Sequence, residues 1–324
     1  MTLLRIDDLT VTFQGDEGLV TAVERVSLDI APGEALGLVG ESGCGKTVTA
    51  LSILCLVPRP PGRIVSGRIW FHGRDLLSLP LAELRAIRGR AISMIFQEPM
   101  TALSPLQRIG RQLAETLLLH RPLSRSEARR CAMDWLRRVG IPDPPAAMQS
   151  YPFQLSGGMR QRVMIAMALM LDPELLIADE PTTALDVTIQ AQIFDLIRAR
   201  RRSDTALLLI THDLGVVWEM CSRVAVMYAG EIVETAPAAD LFRQPLHPYT
   251  AALLASLPAL VPPGARLRPI PGQVPSPLAY PAGCRFRERC PLAFERCAEH
   301  PPLRQAAQRL ARCWLVNEDP ETTP

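Results

Sequence analysis

At 324 residues, with 48% hydrophobic and 21% charged residues and a net charge of +2, the chain has a globular composition and length enough for about two domains. So even a charge balance excludes binding run by a basic surface, which makes nucleic acid a poor partner. Asp7 and Asp8 stand where a signal peptide needs its apolar core, and no stretch approaches about 20 apolar residues; a soluble, cytoplasmic protein is expected, whose eight cysteines serve as metal ligands, reactive thiols or core residues rather than disulfides.

Residues 3–36 read as short strands with turns at 14–18 and 31–33, and residues 26–30 alternate apolar with polar, so a small antiparallel sheet comes first. Phe13, beside the first turn, has two readings: an aromatic face for an adenine ring, or a core residue. Residues 34–39 form a short apolar strand, and residues 48–56 read as a helix. Between them Gly40-Glu41-Ser42-Gly43-Cys44-Gly45-Lys46-Thr47 fills every fixed position of the phosphate loop G-x-x-x-x-G-K-[ST] in its strand–loop–helix setting. Loop amides and a helix N-terminus wrap an anion, Lys46 reaches the β and γ phosphates, and Thr47 holds Mg²⁺. Lys46 is the chain's one lysine; every other basic side chain of that kind is arginine. The exception falls where a compact ammonium suits the site better than a planar guanidinium. Cys44, near Lys46 and a helix start, is expected to carry a lowered pKa and to alkylate readily.

A strand resumes at 67–71, and residues 91–96 form a buried one ending in Gln97, whose amide oxygen can face magnesium or water. Residues 106–140 turn helical: Ser124 and Glu127 have capping-box spacing, Ala128, Ala132, Trp135, Leu136 and Val139 share a face, and Gly140 suits the stop before Pro142, Pro144 and Pro145. An inserted helical subdomain is expected. Ser156, Gly157 and Gly158 then open an apolar helical run at 163–171, a second candidate anion site.

Residues 175–178 are too uniformly apolar for a strand with one wet face, so a central parallel strand is expected, delivering Asp179 and Glu180 at its carboxyl end. Adjacent carboxylates there make sense beside Mg²⁺: Asp179 binds the metal's water shell while Glu180 faces the attacking water. A helix begins at 183–186, a further apolar strand runs 206–210, and His212 follows at the same kind of strand end.

Taken together these residues resemble the ATP-binding subunit of ATP-binding cassette transporters over essentially residues 1–260. The resemblance implies an α/β fold with a RecA-like core, an N-terminal antiparallel β-subdomain and the inserted helical subdomain. It casts 40–47 as Walker A, 175–179 as Walker B, Gln97 as the Q-loop, 155–161 as the signature, Asp186 as the D-loop, Glu180 as catalytic base and His212 as the switch histidine. It further implies that Ser156, Gly157, Gly158 and Gln161 meet ATP bound by a second ATPase subunit, expected to be a related chain rather than an identical one. Residues 98–105 and 244–250 resemble the branch importing oligopeptides, dipeptides or nickel. The implied partners are two transmembrane permease subunits and an extracytoplasmic solute-binding protein, and the implied location is the cytoplasmic face of the inner membrane, peripherally. The expected division is an ATP-binding domain at 1–256, with its helical subdomain at about 100–165, and an extension at 257–324.

In that extension the chain becomes a proline-rich loop carrying Cys284, Cys290, Cys297 and Cys313. No C-x₂₋₄-C step typical of structural zinc occurs among these four. Tails of the importer branch are associated with an iron–sulfur cluster, and a [4Fe–4S] cluster on these thiolates is the favoured expectation, zinc and free thiols remaining alternatives. Arg285, Arg287, Arg289 and Arg296 would offset its charge. Cys55, Cys131 and Cys221 are read as core.

Overall fold

The computed structural model describes residues 2–98, 102–182, 187–257 and 269–316, with the side chains at 187 and 188 left aside. The chain falls into two units, one drawn from residues 1–31, 35–78 and 209–324, the other from 32–34 and 79–208.

In the first unit, alternation in the opening residues becomes a four-stranded antiparallel sheet, ordered Gly18–Ile30, Leu4–Gly15, Gly62–Phe71, Arg74–Asp75. Val26, Leu28 and Ile30 point inward while Ser27 and Asp29 face water, as their period of two requires. The first turn closes at Gly15 opposite Gly18. One strand begins earlier than its composition suggests: residues 62–66 already pair, and Gly67 is a passing point rather than a start. At φ +99° it lies where a Cβ would press on Leu9 Cα and the Asp7 carbonyl, so the glycine is needed for a close crossing inside the strand.

The same unit holds a run of strands ordered Arg304–Ala306, Arg309–Ala311, Glu231–Pro237, Arg223–Tyr228, Ala35–Val39. Only the last of these pairings is parallel. Ala35–Val39 is buried throughout, matching a strand covered on both faces. The tail was expected to be loop, yet residues 304–311 form a hairpin that pairs Ala311 with Glu234 and Leu310 with Thr235. Alternation over so few residues is too short to announce a strand.

The second unit carries the helices Ile109–His120, Arg125–Arg138, Pro144–Gln149 and Gly157–Leu169. The single helical pattern of 106–140 is divided at Pro122, and Ser124 restarts it with a full capping box: Glu127 N donates to Ser124 Oγ at 3.2 Å and Ser124 N to Glu127 Oε2 at 2.8 Å. Beneath them the strands Ile92–Ile95 and Leu175–Asp179 run parallel in register, Ile92 opposite Leu175 and Ile95 opposite Ala178. Among the described residues no helix is long and apolar enough to cross a membrane.

Candidate active site

Strand Ala35–Val39 leads directly into the phosphate loop, and helix Lys46–Ile53 leaves it. That helix starts two residues before the sequence pattern suggested, because Gly45 at φ +105° serves as a left-handed cap, and it stops at Leu54 ahead of Cys55 at φ +51°. Only glycine fits at two points of the loop: a Cβ on Gly40 would collide with the Met227 carbonyl, and one on Gly45 with the Ala22 carbonyl. Ser42 and Gly43 are exposed at its crest. Lys46 is 5% exposed and folds back on the loop, its Nζ donating to Gly40 O at 2.9 Å and Glu41 O at 3.0 Å. Those carbonyls keep the ammonium satisfied where phosphate oxygens would later compete for it. Thr47 sits half-buried on the first helical turn.

Cys44 does not behave as expected. Its Sγ is 3.8 Å from Lys46 Nζ, but the residue is wholly buried, and burial outweighs the ammonium and pushes the thiol's pKa up, not down. A protonated, inaccessible thiol is a poor target for alkylation. In the same unit Phe13 is half-buried with its ring edge against Gly62, and His212 is exposed just past strand Ala206–Thr211. The Thr211 hydroxyl accepts from Asp213 N at 3.0 Å, and Asp213 caps the next helix by accepting from Gly215 N at 2.8 Å.

In the second unit the parallel register does chemical positioning. Ile95 and Ala178 are partners, so Gln97 and Glu180, each two residues further, leave neighbouring strand ends together. Gln97 Nε2 donates to Glu180 Oε2 at 3.0 Å. Glu180 takes a left-handed backbone at φ +43°, uncommon for a residue with a side chain, while Asp179 before it is 1% exposed. Ser156 caps helix Gly157–Leu169, accepting from Met159 N at 3.3 Å. Gln161 is 2% exposed and donates to the Pro181 carbonyl, tying the helix that follows Gly157 and Gly158 to the residue after Glu180. Asp186 lies outside the described residues, as do Pro99, Met100 and Thr101.

The metal centre expected in the tail is overturned. Cys284, Cys290, Cys297 and Cys313 border one cavity, together with Phe286, Leu292 and Trp314, but its volume is about 10 Å³. That is room for about one water at most, far short of a four-iron cube. Among the described residues no three His, Cys, Asp or Glu side chains are arranged to hold a metal ion. Burial also raises the Cys284 thiol to about 11 and shifts Cys290 and Cys313 upward. Of the arginines expected to balance a cluster's charge, Arg287 borders the same cavity, and the other three have partners other than the cysteines. Arg285 donates to Glu24 and to the Ala229 carbonyl, Arg296 stacks on Trp314 at 3.9 Å, and Arg289 pairs with Glu41 of the phosphate loop. The part Arg289 plays was not visible from its place in the sequence; the nearest signal is Tyr228, which meets it and packs on Tyr249 and Phe286.

Comparison with known proteins agrees with the loop and strand-end geometry. A family profile described as "ABC transporter" matches residues 23–183, and one described as "Oligopeptide/dipeptide transporter, C-terminal region" matches residues 233–297. The chain is 52% identical to the "Probable peptide ABC transporter ATP-binding protein y4tR" of Sinorhizobium fredii, over 98% of this chain and 96% of that one. It is 48% identical to the dipeptide transport ATP-binding protein DppD of Bacillus subtilis, with coverage of 98% and 96%. Against the oligopeptide transport ATP-binding protein OppD of Salmonella typhimurium it is 49% identical, covering 98% and 95%. Among solved structures, a dimeric ATP-binding cassette in a post-hydrolysis state with ADP and Pi superposes with a TM-score of 0.64 at 27% identity, over 72% of this chain and 98% of that one.

Proposed function

Because this chain belongs to the ABC transporter family and is one of its ATP-binding, ATP-hydrolysing subunits, we propose that it drives the uptake of di- or oligopeptides across a membrane. One observation carries the peptide reading: the likeness does not stop at the nucleotide-binding module but extends over 98% of the chain to peptide-transport ATPases, C-terminal region included.

In this reading the amides of residues 40–47 receive the phosphates of ATP, and Lys46 exchanges the Gly40 and Glu41 carbonyls for β and γ phosphate oxygens. Thr47, Gln97 and Asp179 would hold Mg²⁺ through their hydroxyl, amide and carboxylate oxygens, donor types that suit it. The metal supplies charge neutralisation along the phosphates. Glu180 orients and deprotonates the attacking water, and Gln97, bonded to it, holds that carboxylate until the nucleotide and the permease change the contact. His212 senses the γ-phosphate, and Phe13 offers its ring to the adenine. Ser156, Gly157 and Gly158, with Gln161 bracing their helix from behind, and Asp186 act across a dimer with a second, related ATPase chain.

The partners in this proposal are two permease subunits, to which the chain binds on the cytoplasmic face of the inner membrane, and an extracytoplasmic solute-binding protein. Residues 1–256 form the motor and 257–324 its extension. The test is uptake of labelled dipeptides, longer peptides and nickel into source cells in which chromosomal Glu180→Gln replaces the wild-type residue and paralogous systems are deleted. Loss of peptide uptake with nickel uptake intact is expected; survival of peptide uptake overturns the assignment.

A further inference from the structure

Glu41 is an awkward residue for its place. A phosphate loop attracts a polyanion with amide N–H groups and one ammonium, and a free carboxylate within it opposes that attraction. In this chain the carboxylate is not free. Arg289, on the short turn Arg287–Arg289, donates to both of its oxygens, Nη1 to Oε2 at 2.7 Å and Nη2 to Oε1 at 3.0 Å. The guanidinium is anchored in turn: Nε donates to Pro271 O at 2.8 Å and Nη1 to the Tyr228 hydroxyl at 3.3 Å. The Arg289 side chain is 5% exposed, so the pair is shielded from water and salt on the arginine's side. Glu41 is held by its backbone as well, its N–H donating to the Tyr249 hydroxyl at 2.9 Å, while its carbonyl receives Lys46. Tyr228, Tyr249 and Phe286 pack on one another with ring centroids 4.5 to 5.4 Å apart, giving these polar contacts a rigid floor.

We propose that Arg289 is a positioning residue for nucleotide binding: it neutralises the Glu41 carboxylate and fixes it out of the path of the phosphates, which makes the C-terminal region a working part of the nucleotide-binding loop. The inference rests on the reading that residues 40–47 bind ATP. A fork is required rather than a point charge, since only the guanidinium meets both carboxylate oxygens while retaining donors for Pro271 and Tyr228. The competing account is that the pair merely fastens the tail down. The two differ in what happens when both charges are removed. A fastening lost with Arg289 stays lost when Glu41 is also changed, whereas a stranded negative charge is cured by removing it.

The experiment measures equilibrium MgATP binding and thermal melting of the full chain in the wild type, Arg289→Gln, Glu41→Gln, the double variant and Lys46→Ala. Arg289→Gln is expected to weaken MgATP binding about tenfold, the scale of one charge-assisted contact. The double variant should bind MgATP as Glu41→Gln alone does and more tightly than Arg289→Gln, rescuing the arginine loss. A double variant as weak as Arg289→Gln, or an Arg289→Gln chain that melts earlier but binds as wild type, overturns the proposal. If Arg289→Gln does not fold, Arg289→Lys takes its place, with a smaller weakening of about threefold that the same Glu41→Gln change must rescue; no rescue overturns it. A folded wild-type chain that does not bind MgATP, or Lys46→Ala binding as tightly as wild type, instead overturns the ATP-site reading itself and this inference with it.

Discussion

Glu41 and Glu180 are both acidic residues in motifs concerned with phosphate, and the protein treats them in opposite ways. Glu41 is gripped by a guanidinium fork at 2.7 and 3.0 Å whose side chain is almost wholly buried. Glu180 accepts from the neutral amide of Gln97 at 3.0 Å and has a backbone in a sparsely populated conformation. The carboxylate proposed to stay out of the chemistry is locked by charge, and the one proposed to perform it is steadied by a neutral donor. The contrast also separates two kinds of positioning: long-range chain closure for Glu41, and strand register for Glu180.

The largest break in this contrast is expected at Glu180. Glu180→Gln should lower ATP hydrolysis about 10² to 10⁴-fold while MgATP still binds, because the loop is untouched; phosphate release and nucleotide binding measured on one preparation check it. Next comes Gln97→Ala, which removes the amide from which Glu180 accepts. A hydrogen bond to a charged group is worth about 1.5 to 3 kcal/mol, so hydrolysis should fall by about ten- to a hundredfold in the assembled transporter, at the low end of the Glu180 effect. An equal loss from the two substitutions would mean that Glu180 cannot act without its amide partner.

The gripped side can be sharpened through pH. His247 Nδ1 accepts from Tyr249 N at 3.0 Å at the start of helix Pro248–Ala255, and it is Tyr249 that holds Glu41 N–H. Burial lowers the His247 pKa from 6.5 to about 3. Between those values the unfolded chain binds a proton that the folded chain refuses, so stability rises with pH across the window and is lost as pH falls from about 6.5 toward about 3. Its neighbour Glu234 is shifted upward by burial and acts in the opposite sense, but it is common to wild type and His247→Asn. Denaturant midpoints at pH 7 and pH 5 should therefore separate more in wild type than in the variant. The smallest effect is a control remote from both glutamates: Ser124→Ala removes a helix cap and should cost about 1 kcal/mol of stability with MgATP binding unchanged.

Much of this was legible from the sequence where the cause is local. The phosphate loop declares itself through Gly40, Gly45 and Lys46, and the strand ends that carry Gln97 and Glu180 through two short apolar runs; the register that brings the two side chains together comes from the structure. Pro122 and Ser124 also mark where one apparent helix becomes two. What escaped depends on burial or on distance along the chain. The Cys44 environment reads as activating from its neighbours alone, and only the depth of the site reverses that. The tail's cysteines drew its arginines into a charge-balancing role, whereas Arg289 crosses 248 positions to reach Glu41. No pattern in either segment announces a partner so remote.

Lys46 closes back on its own loop and is the one lysine of the chain. A protease cutting after lysine therefore has a single cleavage point, the Lys46–Thr47 bond on the first turn of the helix. An amine-selective reagent is likewise left with this side chain and the α-amino group. The arginine-rich background turns the nucleotide loop into its own reporter: the rate of either modification measures how often the loop opens, with no label introduced.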